Sequence, residues 1–363
     1  MEHSKSDAGL NIFTPIQYPI KISNLIDKEI LNELISVGKY SQLYVLVDSI
    51  TAIECYPKIK TILPPHILIS IATGEQHKHI DTCKEIWDVL AKNNADRNAL
   101  LINLGGGVIG DMGGFAASTF KRGIAFIQMP TTLLSQVDAS VGGKLGVDYN
   151  NVKNIIGVFN NPVAVCIATD FLYTLPERQL INGFAEVIKH GLIADKEYWK
   201  KVYQQNPADI EDWVAIIQTS VNIKKHVVEA DYKETGLRKT LNFGHTIGHA
   251  VETWSLQKDA DPLFHGEAIA IGMICEAFLS HLYLDLHPNE LAAITNSILQ
   301  YFPDYNLENT DTSTLISFMM QDKKNSGDSI RFSLLNHIGE CKYDIAVKQN
   351  DILDALKFYS SQL

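Results

Sequence analysis

The stretch Ala99-Leu100-Leu101-Ile102-Asn103-Leu104-Gly105-Gly106-Gly107-Val108-Ile109-Gly110-Asp111 decides the fold. Its first six residues form an apolar run of strand length. Three glycines stop the run, and a helical pattern opens directly behind them. Upstream, residues 43–47 end at Asp48 and read as a buried strand, and residues 66–71 read as another. Residues 82–93 have helical period, with Ile86, Val89 and Leu90 on one face. Downstream, residues 124–129 are stopped by Pro130, and residues 163–167 form a further apolar run. Strands alternating with helices predict a mostly parallel α/β sheet covered on both faces.

After Leu175-Pro176 the character changes. Residues 179–194, 210–228, 238–254, 267–283 and 288–301 read as helices, and a strand-like run returns only at 330–335. The expectation is two domains: residues 1–177 with a Rossmann-like sheet, then residues 178–363, mostly helical. Residues 138–161 stand apart. They are rich in glycine and asparagine, lack periodicity and carry Lys144, Lys153 and Asn154, so a long irregular segment with a functional role is expected there.

The formal net charge of −11 argues against nucleic acid or an anionic membrane as the main partner. A small anionic substrate remains open, because a local basic pocket acts against the global sign. The five cysteines, Cys55, Cys83, Cys166, Cys275 and Cys341, include no C-x-x-C pair and read as reduced thiols. The first residues are polar, without a secretory apolar segment, and no uninterrupted apolar run approaches the roughly 18 residues of a membrane span. A cytoplasmic protein is expected.

Gly105 to Asp111 contains G-x-G-x-x-G. Glycines let a backbone approach a pyrophosphate, and a helix N-terminus offers N–H groups to the anion. The same pattern also serves as a purely structural tight turn. The acidic residue usual about 20 positions on is missing, the region being Gln128-Met129-Pro130. Asp48, upstream at a strand end, is the nearest ribose candidate, so the order is not the standard Rossmann one.

In the helical half, Arg238, Asn242, His245, His249 and Glu252 are spaced so that a continuous helix would gather them within about 80° of arc. Such a stripe faces water or lines a site, because burying unpaired polar groups costs several kcal/mol. Gly244 and Gly248 cost helix propensity, which suggests a close approach to the backbone. His265 follows in Phe264-His265-Gly266-Glu267, and Glu186 and Lys189 lie three apart on an earlier helix. A carboxylate plus two imidazoles with one position open is a catalytic zinc pattern. The open position would take substrate hydroxyls and lower their pKa. Lys144, Lys153, Lys189, Lys224, Arg238, Lys323 and Lys324 are candidates for anion contacts, and Arg122 is ambiguous by itself.

Taken together, these residues resemble the 3-dehydroquinate synthase family. The resemblance covers nearly the whole chain. It rests on Gly74-Glu75-x-x-Lys78, Gly105 to Asp111, Ser118-Thr119-Phe120-Lys121-Arg122-Gly123, Pro130-Thr131-Thr132-Leu133-Leu134 and residues 137–144. It continues through Lys153-Asn154, Ala185-Glu186-Val187-Ile188-Lys189, Gly236-Leu237-Arg238, residues 241–250, His265-Gly266-Glu267 and Asp322-Lys323-Lys324. The resemblance implies an NAD-binding α/β domain, a helical metal domain binding zinc or cobalt, and an active site between them. It implies metal ligands Glu186, His245 and His265, with His249 facing the substrate. Asp138, Lys144, Asn154, Lys189, Lys224, Arg238, Asn242 and a lysine of the pair Lys323-Lys324 would surround the substrate. Arg122, from the same chain or from the second subunit of a homodimer, would join Lys144, Asn154, Asn242 and His249 near the phosphate. Asp48, Glu75, Lys78, Gly106, Gly107, Val108, Asp111, Thr131, Thr132, Lys144 and Lys153 would hold the dinucleotide. The implied reaction converts a phosphorylated seven-carbon keto acid, 3-deoxy-D-arabino-heptulosonate 7-phosphate, to 3-dehydroquinate and phosphate. A transient oxidation, phosphate elimination, re-reduction and aldol closure leave no net redox change, so this is a lyase. The rival expectations are a sister cyclase acting on another sugar phosphate and a metal-dependent polyol dehydrogenase.

Overall fold

Runs of consecutive buried apolar residues make strands that are covered on both faces, and here they assemble into one parallel sheet. The computed structural model describes residues 16–36, 38–150, 152–302, 304–307, 310–322 and 329–363. The first half comprises β1 (Ile20–Ser23), α1 (Lys28–Ile35), β2 (Leu43–Asp48), the short helices α2 (Thr51–Glu54) and α3 (Tyr56–Lys60), β3 (Ile67–Ile71) and α4 (Ile80–Lys92). It continues with β4 (Leu100–Gly105), α5 (Gly107–Thr119), β5 (Ala125–Pro130), β6 (Lys144–Tyr149), β7 (Val152–Phe159) and β8 (Ala164–Ala168). The sheet order is β1-β8-β5-β4-β2-β3, all pairs parallel. Alternation splits its residues between two cores. Tyr44, Leu46 and Leu101 pack with Ile86 and Met112 on one face. Val45, Val47, Ile102 and Leu104 pack with Leu31 and Ile59 on the other. Each fully buried side chain of this kind contributes about 1.5–3 kcal/mol.

The remainder is α6 (Glu177–Ala194), α7 (Lys196–Val202), α8 (Trp213–Ala230), α9 (His245–Lys258), α10 (His265–Leu284), α11 (Pro288–Leu299), α12 (Thr312–Asp322), the hairpin β9 (Ser329–His337) and β10 (Glu340–Lys348), and α13 (Gln349–Ser360). Its core reaches back to Val165 and Ile167 of β8, so the helical half is packed onto one side of the sheet. Helix α10 is apolar all round and long enough to cross a membrane, but most of it is buried, packed against α6, α9, α11, α13 and β9. The five cysteines are free thiols, four buried and Cys341 half-buried.

The structure corrects two expectations. Residues 144–149 and 152–159 are not irregular. Part of a single π-helical turn (Ser135–Ala139) leads into the antiparallel hairpin β6–β7, which packs on α5 through Leu145. Asn150, left-handed at φ +49° at the turn, and the Gly146–Gly157 pairing hid the strand alternation. Residues 238–254 are not one helix. A 3₁₀ stretch (Leu237–Asn242) ends at extended Phe243, and Gly244 turns left-handed at φ +80° before α9 begins. Glycine takes that conformation at little cost, so Arg238 and Asn242 do not share a helical face with His245. The close approach expected at Gly244 and Gly248 is present and is made by helix α10: a Cβ at either position would press on Met273 or Ile269.

Candidate active site

The glycine turn sits where the strand order reverses, since β3 lies on one side of β2 and β4 on the other. In open parallel sheets this switch point is the usual ligand crevice. Gly106 caps α5 without any side-chain cap hydrogen bond, leaving the first-turn N–H groups to an anion. Helix α5 lies tight on the sheet: a Cβ at Gly113 would meet Asn103 Oδ1 at 2.0 Å. In place of an acid on β5, Gln128 accepts from Asn103 (3.3 Å) and donates to the Gly110 carbonyl (2.9 Å), fixing that helix.

Around the turn, Thr131 N donates to Gly105 O at 3.0 Å, and Thr132 shares a hydroxyl hydrogen bond with Ser135. Lys78 is buried with Nζ 2.7 Å from Asp111 Oδ2, and Glu75 stands 4.0 Å away. Burial works against the Lys78 charge, but Asp111 and Glu75 outweigh it and raise its pKa. Val108 lies in the first turn of α5. Asp48 ends β2 beside the crevice, with its carboxylate accepting from Ile50 N and Thr51 N at 2.9 and 2.8 Å.

A second, largely buried polar cluster lies on the helical side. Glu186 on α6 is fully buried, and neither oxygen carries a hydrogen bond. The Lys189 ammonium forms an ion pair with it, and His245 Nε2 stands 3.7 Å from Oε1. His245 Nδ1 points to the Phe243 carbonyl at 3.1 Å, which assigns the proton to Nδ1 and leaves Nε2 as the lone-pair nitrogen. Burial, reinforced by Lys189, His249 and His265, pushes the His245 pKa well below its ordinary value, so the ring is neutral, as a metal ligand must be. Ligand nitrogens of His245, His249 and His265 lie within 4.8 Å of one another. His265 is braced from behind by Glu252, with Nδ1 3.4 Å from Oε2. A buried carboxylate whose ion-pair partner is Lys189, the neutral His245 ring and a carboxylate-braced histidine fit a divalent cation of the zinc or cobalt kind.

Cations ring this cluster despite the acidic chain. Lys224 Nζ is 2.6 Å from Asp138 Oδ1 and also donates to the Asp138 carbonyl. Burial opposes ionisation of Asp138, yet Lys224 and Lys189 hold its carboxyl well below the usual carboxylate range. Arg238 is buried and donates to the carbonyls of Gly142 (3.2 Å) and Tyr232 (2.7 Å). Lys144 pairs with Glu234, which also accepts from Asn242 at 2.8 Å. Lys153 Nζ lies 2.8 Å from Glu252 Oε1, and Asn154 N donates to Asp148. Arg122 is exposed beyond α5 and makes no hydrogen bond or ion pair among the described residues. Lys323 and Lys324 lie outside the described residues.

Sequence reasoning missed three residues of this neighbourhood. Glu234, at φ +60° in a polar turn, left no readable signal. His190 is fully buried with neither ring nitrogen hydrogen-bonded, 4.0 Å from Asp138. Glu276, buried on α10, accepts from Gly244 N (2.7 Å), Thr246 N (2.9 Å) and Ile247 N (3.1 Å), replacing the missing cap of α9. A lone acid inside the apolar run of α10 was the available clue.

The architecture is that of a solved 2-epi-5-epi-valiolone synthase from Streptomyces hygroscopicus with NAD+ and Zn2+ bound: TM-score 0.80, 24% identity, 97% of this chain and 99% of that one. It is equally similar to a 2-deoxy-scyllo-inosose synthase complexed with carbaglucose-6-phosphate, NAD+ and Co2+, at TM-score 0.79 and 24% identity, covering 93% and 96%. The fold is therefore the one these two synthases share. The 3-dehydroquinate synthase N-terminal model matches residues 68–182 and the C-terminal model residues 183–325. A 3-dehydroquinate synthase of Parabacteroides distasonis is 40% identical over 336 residues, 92% of this chain and 95% of that protein. The chain belongs to the 3-dehydroquinate synthase family.

Proposed function

We propose that this protein converts 3-deoxy-D-arabino-heptulosonate 7-phosphate to 3-dehydroquinate and phosphate, using NAD and one divalent metal. The observation that carries this reading is the buried Glu186 carboxylate, paired with the Lys189 ammonium and facing His245, in a chain whose two halves both match the family. Glu186, His245 and His265 would hold the metal, and the N-terminus of α5 with Lys78, Asp111, Thr131, Thr132 and Lys153 would hold the dinucleotide. When bound, the metal polarises substrate hydroxyls and the nicotinamide takes and returns a hydride.

The protein's own groups position the substrate. Lys224 and Arg238 supply fixed positive charge for the carboxylate. Lys144, Asn154, Asn242 and His249, with Arg122, orient the phosphate, and Lys189 and Asp138 fix the hydroxyl face. The leaving phosphate can take the proton itself, so these residues need only hold it in place. Two domains meeting near residue 177, a homodimer and a cytoplasmic location belong to the same reading; five free thiols suit the last.

The test incubates zinc-loaded protein with the heptulosonate phosphate and catalytic NAD, and follows phosphate, reduced nicotinamide and product. Phosphate release with 3-dehydroquinate and no accumulation of reduced nicotinamide is expected. Accumulating reduced nicotinamide indicates a dehydrogenase, and turnover of a different sugar phosphate indicates a sister cyclase; either result overturns the assignment.

A further inference from the structure

Glu252 joins the two parts of the site. It stands on α9, nearly buried, and each of its oxygens serves a different segment. Oε1 receives Lys153 Nζ at 2.8 Å from the β6–β7 hairpin, and Oε2 faces His265 Nδ1 at 3.4 Å at the start of α10. One carboxylate therefore spans a lysine on the nucleotide side and an imidazole on the metal side.

We propose that Glu252 is a positioning residue that couples dinucleotide binding to metal binding. The inference rests on reading Lys153 as a dinucleotide contact and His265 as a ligand. A cation on the far nitrogen of His265 makes its Nδ1–H a stronger donor and draws the Glu252 carboxylate toward the ring. The hold on Lys153 loosens, and its ammonium turns to the anionic pyrophosphate. The coupling is reciprocal by thermodynamic necessity: a dinucleotide that engages Lys153 leaves Glu252 to His265, and the metal binds more tightly by the same factor. Glu252 then acts through its two neighbours and touches neither ligand.

The experiment measures NAD affinity by calorimetric titration of the full chain, chelator-treated and zinc-loaded, for wild type, Glu252→Gln and Lys153→Met. Zinc affinity with and without NAD is measured in parallel by competition with a chromophoric chelator. In the wild type, zinc is expected to tighten NAD about fivefold to tenfold, and NAD to tighten zinc equally. In Glu252→Gln, which keeps the shape and loses the charge, both factors fall below about twofold. Lys153→Met weakens NAD and removes the coupling too, so the idea stays testable if Glu252→Gln folds poorly. Coupling of wild-type size in either variant, or none in the wild type, overturns the inference while leaving the function standing. NAD that binds no form of the protein, zinc-loaded or not, defeats the functional reading itself and the inference with it.

Discussion

Replacing Gly272 by alanine should damage the site from behind. Gly272 is where α10 crosses α9, and a Cβ there would lie 1.9 Å from Gly244 O, 2.7 Å from Gly248 N and 2.9 Å from Gly244 C. All three atoms are backbone, so no side chain can swing away. Non-bonded carbon and oxygen need more than 3 Å, so the helices must part by about 1 Å. Alanine gains about 1 kcal/mol of helix propensity over glycine, and overpacking costs about 1–3 kcal/mol or more. A net loss of up to about 2 kcal/mol, or more where the helices cannot part, follows. The functional cost is larger, because His245 is the first residue of α9, directly after Gly244, and Glu276 holds Gly244 N from the same helix that would be pushed away. Misplacing a catalytic group by about 1 Å costs on the order of 100-fold in rate. The assay is denaturant unfolding, zinc content by elemental analysis and the rate of phosphate release. A Gly272→Ala protein with wild-type stability, zinc content and turnover would refute the close crossing and its role in placing His245.

Three further outcomes are expected. Glu276→Gln removes a charge that accepts three backbone N–H bonds. It should cost about 1–3 kcal/mol in urea unfolding and shed zinc faster on dialysis; unchanged values on both would show that α9 needs no such cap. His265→Ala should lose the metal yet keep its far-ultraviolet circular dichroism, and full zinc occupancy in that variant would remove His265 from the ligand set. Burial, with Lys189 adding, lowers the His190 pKa from 6.5 to about 3. The unfolded chain therefore binds more protons, and stability from this group is complete above pH 6.5 and is lost as pH falls toward 3. Metal-free protein should lose up to about 1.4 kcal/mol per pH unit from this group in that window. His190→Gln should flatten the slope, and an undiminished slope would count against a buried neutral His190.

The sheet was legible because its strands are buried on both faces, so each reads as an unbroken apolar run. Only β1 among the sheet strands escaped, since its four residues are half-buried and too few to make a pattern. The proposed metal donors could be named by residue type, and the family resemblance supplied their grouping. The hairpin carrying Lys144 and Lys153 was not legible, because glycine pairing and an asparagine turn erase the period of two. The break at Gly244 was hidden as well, since the spacing of Arg238, Asn242 and His245 suits a helix that the backbone does not make. By itself, the sequence determined most strands of the parallel sheet, the long helices of the second half and which residue types could do chemistry, because period and polarity are local properties. Only the tertiary structure decided that Glu252 spans Lys153 and His265, that Glu276 caps α9, and that Glu234 holds Lys144 and Asn242. Those pairings join residues 8 to 99 positions apart in the chain. Partners that distant are selected by packing of whole elements, which no local pattern encodes.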